Sequence, residues 1–489
     1  MPGYPLFLAG VYAVFGHTNN GAVRIVQALI DTATCGLVAL LAFYWQPDQK
    51  KKRASALAAL ALAALCPFTT IYAATILTEV PTNFLMMAMF VAVTIAFRKL
   101  TAEGTGNNSK GNLKSAILWW SIAGLIGGVA VMMRPDSGLF LAAVGLTLVI
   151  NIVWSLVARV RRRSKAKNQT LTLKTNGFRA LLSAAIFSLA FIFVIAPWTI
   201  RNRRVFHVFQ PLSPAHGEMP GEFVPRGYNL WVRTWIDDQS YIAPFLWSLD
   251  TEPIDVDDAP SYAFDSPEEK KRVATLFEAY NNEADDELGN AAQSAPQASP
   301  SPTPPNEENE SEEESGNQPE NAQTQDQPAV QMTPEIDAAF GQLARERIAR
   351  HRFQFYVVLP LKRARTMWFD THSQYWPFDG TLLPLEDLDY STHQQIWLPL
   401  FAALTGVYTL LGLAGAWLLW VSENSAARRW LLLVVLAIAL RLMLFSWIEN
   451  PEPRYVVEFF PLLSVLGGIA IAQIPKALRT RQTNADERG

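Results

Sequence analysis

Apolar runs near 22 to 45, 54 to 73, 81 to 98, 115 to 133, 136 to 158, 178 to 198, 396 to 421, 428 to 447 and 456 to 475 dominate the pattern of this chain. A helix needs about 20 residues to cross the hydrocarbon of a bilayer. Each run reaches or approaches that length, so the pattern predicts about nine transmembrane helices. Pro5 to Phe15 is apolar but too short to span, and is expected as an interfacial or re-entrant helix. The expected fold class is an all-α polytopic membrane protein. Its expected divisions are an N-terminal transmembrane region, 1–198, one long outward-facing loop, 199–395, a C-terminal transmembrane region, 396–475, and a cytoplasmic tail, 476–489. No internal repeat and no coiled-coil heptad is found.

Within the long loop the pattern changes twice. Gln210 to Trp247 is rich in Pro, Gly and aromatics and is expected to fold against the membrane-side core. From about Asn281 to Gln331 the composition turns to Ser, Pro, Gln, Asn and Glu, as in S-A-P-Q-A-S-P-S-P-T-P-P. Such a segment buries too little apolar surface to order itself, and disorder is expected there. Thr333 then reads as a helix N-cap with Pro334 at the first helical position. Ile336, Phe340, Leu343 and Ala344 mark the buried face of that helix. His351 to Phe369 mixes apolar, basic and aromatic residues, as an interfacial helix does.

Charge orients the pattern. The net charge of −3, from 41 Lys and Arg against 44 Asp and Glu, hides a segregation between short basic loops and one long acidic loop. Lys50 to Arg53 form one basic group. Arg98, Lys99, Lys110 and Lys114 form the second, Arg159 to Lys167 the third, and Arg428 and Arg429 the fourth. These loops, with the tail carrying Lys476, Arg479 and Arg481, are expected on the cytoplasmic side of the cytoplasmic membrane. Met1 is followed by no basic n-region, so no signal peptide is expected. Cys35 and Cys66 both fall in apolar runs and are expected as buried small side chains. The six histidines are scattered without metal-ligand spacing, so no metal ligands are assigned, although a divalent cation is left open as a cofactor. P-loop, Rossmann and G-x-S-x-G patterns are missing, and the short basic loops make nucleic acid a poor partner.

The opposite face collects carboxylates and arginines beside prolines: T-E-V-P-T at 78 to 82, R-P-D at 134 to 136, and E-N-P-E-P-R-Y at 449 to 455. Charged groups at the edge of lipid are costly unless they are paired or line a wet cavity, so the clustering points to a site. Glu79 starts a helix and is the candidate general base; the alternative is that Thr78 caps the helix and Glu79 complements its dipole. Asp136 reads as an N-cap. Arg134, Arg201 and Arg454 lie where a lipid phosphate would sit, and guanidinium groups bind phosphate oxygens in pairs. Snorkelling to headgroups is the competing role. In A-P-W-T-I-R-N-R-R, from Ala196, Arg201 is the candidate ligand and Arg203 and Arg204 read as anchors. Arg24 and Arg441 lie inside apolar runs and are site candidates; pairing with Asp31 is the other role for Arg24.

Taken in order, P-G-Y-P-L-F-L-A-G-V-Y-A-V-F-G, A-V-R-I-V-Q-A-L, L-T-E-V-P-T-N-F-L, V-M-M-R-P-D, A-P-W-T-I-R-N, G-Y-N-L-W and P-R-Y-V-V-E-F-F-P resemble motifs of the bacterial GT-C glycosyltransferases. These are similar to the protein mannosyltransferases and the aminoarabinose transferases of lipid A. The resemblance runs from Pro2 to about Pro461. It implies an inverting enzyme that takes a sugar from a polyprenyl-phosphate donor and passes it to a cell-envelope acceptor at the outer face of the membrane. By position, Glu79 matches the acid of the family's second outer loop, Arg201 its W-x-x-R-N motif, and Arg454 and Tyr455 its late R-Y motif. The family also carries a first span and an acidic outer loop ahead of P-G-Y-P, and the resemblance leads us to expect that segment upstream of Met1; the alternative is a chain that has lost the family's main catalytic acid. The alternative from another class is a non-catalytic transporter or assembly scaffold that holds anionic lipid with the same arginines.

Overall fold

A computed structural model describes residues 2–101, 107–162, 170–207, 209–212, 223–294, 332–370 and 392–474. Among these residues the regular structure is helical throughout. The helices are α1 (Gly3–Phe15), α2 (Asn20–Trp45), α3 (Lys52–Ala64), α4 (Pro67–Ala74), α5 (Glu79–Thr101), α6 (Asn107–Met133), α7 (Gly138–Arg162) and α8 (Thr170–Phe206). They continue as α9 (Arg226–Val232), α10 (Pro267–Ser294), α11 (Pro334–Arg350), α12 (Leu359–Phe369), α13 (Thr392–Val421), α14 (Ser425–Trp447) and α15 (Phe459–Ile471). An apolar chain in lipid must pair its backbone groups within itself, and helices do this segment by segment.

Seven described helices are long and apolar enough to cross a membrane, or eight if the bent pair α3 and α4 is one span. The protein is thus a polytopic helical membrane protein. Nine spans were expected, and two of the runs explain the difference. The run at 54 to 73 breaks at Leu65 and Cys66, where Pro67 cannot continue the helix, and its halves bend by 51°. The run at 456 to 475 holds only the 13-residue α15, because Pro453 sets a separate short turn before it. Pro5 to Phe15 does form a short helix, α1.

The chain divides into two compact units, residues 1–219 with 361–489, and residues 220–360. In the first, aromatic rings tie distant helices: Trp45 of α2 stacks on Trp430 of α14 at 5.8 Å, and Phe97 of α5 meets both Trp430 and Trp120. The Trp45 Nε1–H donates to Thr94 Oγ1 at 3.0 Å, which satisfies the indole where no water reaches. Small residues let helices approach closely: a Cβ on Gly468 of α15 would collide with Ala59 and the Ser55 carbonyl of α3 at 2.5–2.7 Å. The last turns of α8 are A-P-W-T-I-R-N-R-R, and buried Asn202 donates through Nδ2 to the Gln210 carbonyl at 3.0 Å, turning the chain back on itself.

The second unit has its own core. Tyr228, Trp231, Trp235, Phe245, Phe277 and Phe340 are all buried and in ring contact. Residues within Gln210 to Trp247 were expected to pack on the membrane core. Leu212 does so, while the partners the structure supplies for Tyr228 and Trp231 are α10 and α11. Thr333 caps α11, its Oγ1 accepting from the Ile336 N–H at 3.4 Å, and Ile336, Phe340, Leu343 and Ala344 form the buried face as the spacing predicts. The insert was expected to begin at about Asn281, and α10 runs from Pro267 to Ser294. The rest of that insert, 295–331, lies outside the described residues, as do the whole of the expected cytoplasmic tail, 476–489, and residues 371–391 of the long loop. His351 to Phe369 begins with a wide turn, Gln354–Val358, and passes into α12.

Candidate functional site

Prolines place the charged residues. Pro135 disfavours helix at the residue before it, so α6 ends at Met133 and Arg134 is extended, with φ −148° and ψ 118°. Pro135–Ser137 then forms a tight turn that presents Asp136 beside Arg134. Glu79 sits in the first turn of α5, and Pro81 occupies the position where a missing N–H goes unnoticed. On the C-terminal side, Pro451 and Pro453 flank the extended Glu452, Pro453–Val456 forms a short turn, and Glu458 immediately precedes α15. Arg441 projects from within the last two turns of α14 and is fully buried.

These side chains form one cluster. Arg134 Nη1 donates to Glu79 Oε1 at 2.9 Å and to Glu458 Oε1 at 3.0 Å, and its Nε pairs with Asp136 Oδ1 at 3.0 Å. Arg441 Nη2 donates to the same Glu458 Oε1 at 2.9 Å, and its Nε donates to the Tyr455 carbonyl at 2.8 Å. Arg441 Nη1 also lies 2.5 Å from Asp136 Oδ2, an ion pair without hydrogen-bond alignment. The Tyr455 ring stacks on Phe445 at 4.1 Å, and the guanidinium groups of Arg134 and Arg454 each lie 5.6 Å from its centroid. Arg454 pairs with Glu452 at 2.7 Å. Burial pushes the Glu452 carboxyl above the ordinary glutamate range, and the charges of Arg454 and Arg134 pull it back only in part.

The cluster has acceptor capacity to spare. Glu79, Asp136 and Glu458 face two arginines, so carboxyl groups outnumber guanidinium groups by one here, and Glu452 and Arg454 add one of each. Glu79 Oε2 and Glu458 Oε2 are buried without a hydrogen-bond partner, and so is Asn83 Oδ1, one turn along α5 from Glu79. Buried oxygens of this kind are normally satisfied. Each of these oxygens can therefore accept a hydrogen bond from a hydroxyl or amine donor. Next to them, α1 packs so tightly that a Cβ on Gly3 would lie 2.5 Å from the Met132 carbonyl. That contact brings Tyr4 into the electrostatic neighbourhood of Glu79, and the Tyr4 hydroxyl donates to the buried Gln27 Oε1 at 3.1 Å.

The structure thus brings Glu79, Arg134, Arg454 and Tyr455 together. Arg201 is placed differently: it is exposed, its guanidinium lies over the Trp198 and Phe206 rings at 4.9 and 5.3 Å, and its Nη1 donates to Asn202 Oδ1 at 3.2 Å. Asp136, read as a cap, holds two arginines. Arg24 is exposed and makes no ion pair with Asp31 among the described residues. Glu452 and Glu458 were not singled out from the sequence. The available signal was in P-R-Y-V-V-E, where Arg454 and Glu458 stand four apart and a carboxylate immediately precedes an apolar run. No group of His, Cys, Asp and Glu arranged to hold a metal ion occurs among the described residues. No family model, curated protein or solved structure matches this chain.

Proposed function

We propose that the protein transfers a sugar from a polyprenyl-phosphate donor to a cell-envelope acceptor at the outer face of the cytoplasmic membrane, as a GT-C-type inverting glycosyltransferase. The observation that carries this reading is the combination of an unpaired buried Glu79 oxygen with the partly exposed side chain of Arg454 in one cluster. Glu79 takes the proton of an acceptor hydroxyl, and that oxygen attacks the anomeric carbon. The bond from this carbon to the phosphate oxygen breaks, and the electron pair leaves with the polyprenyl phosphate. Arg454 holds the charge that develops on the leaving phosphate, with Arg134 behind the Tyr455 ring as a second positive group. Arg201 is kept as a donor contact near the bilayer surface through its aromatic shelf. The outward placement is supported by α5, where Glu79 opens the helix and the basic Arg98 and Lys99 close it.

The cluster also contains the observation that favours the rival reading. Arg134 and Arg441 are matched by carboxylates, as in a scaffold or transporter that only holds anionic lipid. Reconstituted protein supplied with labelled polyprenyl-phosphate sugar separates the two. The enzyme reading expects Glu79→Gln to lose transfer by about 100-fold or more, within the range of lost acid–base catalysis, while donor still binds. It expects Arg454→Ala to lose donor binding with membrane insertion intact. Donor binding by the wild type with no transfer to any envelope acceptor gives the molecule to the scaffold reading, and unchanged donor affinity in Arg454→Ala removes that residue from the site.

A further inference from the structure

We infer that α2, α3, α4 and α15 enclose a binding site for one dehydrated monovalent cation, Na+, built on Asp31. A pocket lies where these helices meet, lined among others by Asp31, Thr34, Cys35, Cys66, Thr69 and Ser464. Its free space admits about one water-sized group. A sugar or a lipid headgroup is therefore too large.

Asp31 stands near the middle of the 26-residue α2, the part of a span farthest from water. Among the described residues its carboxylate has neither an ion pair nor a hydrogen bond. A carboxylate at that depth is costly unless a proton or a cation neutralises it. Ser464 decides between them. Its residue is fully buried and its Oγ has no hydrogen-bond partner, while it lines the same pocket. Asp31 and Ser464 make no hydrogen bond in this arrangement, so a proton on Asp31 leaves that hydroxyl orphaned as placed, whereas an ion between the two uses both oxygens.

The threonines add further oxygens. Thr34 Oγ1 donates its proton to the Ile30 carbonyl at 2.9 Å, and Thr69 Oγ1 donates to the Cys66 carbonyl at 3.3 Å. Each proton is committed to the backbone, so the lone pairs remain for a cation. The pocket also lies at the break between α3 and α4, with Ala63 and Cys66 on its wall. Broken membrane helices expose the carbonyl dipoles that commonly hold Na+. One carboxylate with neutral oxygens in a one-water space fits a small hard monovalent ion; K+, with longer oxygen distances, fits it poorly.

The site shares α15 with the arginine cluster, since Glu458 precedes that helix and Ser464 lies within it. It does not rest on glycosyl transfer, and its test uses no sugar. Purified protein in nanodiscs is heated across a NaCl series, with choline chloride holding ionic strength constant. The wild type is expected to show a saturable rise in Tm with Na+, as any ligand of the folded state gives. KCl should give at most a tenth of the apparent affinity. Asp31→Asn should abolish the Na+ response while keeping the shape of the side chain, and Ser464→Ala should weaken apparent affinity by about threefold to tenfold, the loss of one oxygen contact. Calorimetric Na+ titration of Ser464→Ala covers the case in which Asp31→Asn fails to fold. No Na+-specific shift in the wild type, or an equal shift in Asp31→Asn, overturns the site. An Asp31-dependent change with pH alone, indifferent to Na+, assigns the carboxyl to a proton and overturns it equally.

Discussion

In the membrane unit, Arg134 and Arg441 share Glu79, Asp136 and Glu458. In the second unit, Arg347 and Arg350 share Asp265 and Glu269, with His351 Nε2 3.2 Å from Asp265 Oδ2. The side-chain chemistry is alike, and the hydrogen bonding is not. Arg347 sends Nη1 to the Ala263 carbonyl at 2.5 Å and Nη2 to the Tyr262 carbonyl at 2.7 Å, so it pins the turn before α10 to α11. Glu269 uses both oxygens, one on Arg347 at 3.1 Å and one on Arg350 at 2.8 Å. Neither of its oxygens is left buried and unpaired. The membrane cluster keeps Glu79 Oε2 and Glu458 Oε2 free and sets three carboxyl groups against two arginines. A closed network holds a fold together; an open one can serve a ligand. Unspent hydrogen-bonding capacity, more than the number of charges, distinguishes the two.

The sharpest contrast comes from removing a buried arginine. Arg441→Ala leaves Asp136 and Glu458 without that partner in a dry setting, and a loss of about 3–5 kcal/mol is expected. Thermal or chemical unfolding in detergent measures it, and a cost under 1 kcal/mol would mean that water already reaches the cluster. Glu269→Gln comes next. Both of its oxygens accept from arginine and an amide can replace only one, so about 1.5–3 kcal/mol should be lost, the worth of a hydrogen bond to a charged group.

Glu79→Gln is expected to destabilise less, by under about 1 kcal/mol, because the amide oxygen can keep the Arg134 contact while its NH2 occupies the unpaired position. A larger stability cost for Glu79→Gln than for Glu269→Gln would reverse the comparison. The smallest effect is a pH effect in the second unit. Hydrogen bonding from Gln342 and then Arg272 holds the Glu346 carboxyl below the ordinary glutamate range. Its folded-state proton affinity is depressed, so its contribution is complete above the unfolded pKa and fades as pH falls through the folded one. Glu346→Gln should flatten that acid limb slightly in a pH series of unfolding midpoints.

Much of the candidate site could be read in the sequence. Proline beside charge flagged T-E-V-P-T, R-P-D and E-N-P-E-P-R-Y, and these three turns supply Glu79, Arg134, Asp136, Glu452, Arg454 and Tyr455. Arg441 was visible as a charge within an apolar run. Glu458 was not flagged, since a carboxylate before a helix reads as a dipole partner until its neighbours in space are known. For the same reason Arg201 looked equivalent to Arg454, although one ends over its own helix's aromatics and the other in the cluster.

By itself the sequence determined the helical membrane class, the cap and buried face of α11, and the positions of the charged turns. These follow from local rules: the length of an apolar run, the 3.6-residue period, and the backbone limits of proline. The tertiary structure alone decided which charges meet, which oxygens remain unpaired, and that the run at 54 to 73 bends into a pocket beneath Asp31. Ion pairs such as Arg134 with Glu458 join residues more than three hundred positions apart. Only the packing of α5, α6, α14 and α15 brings them within reach, and no periodicity along the chain encodes that distance.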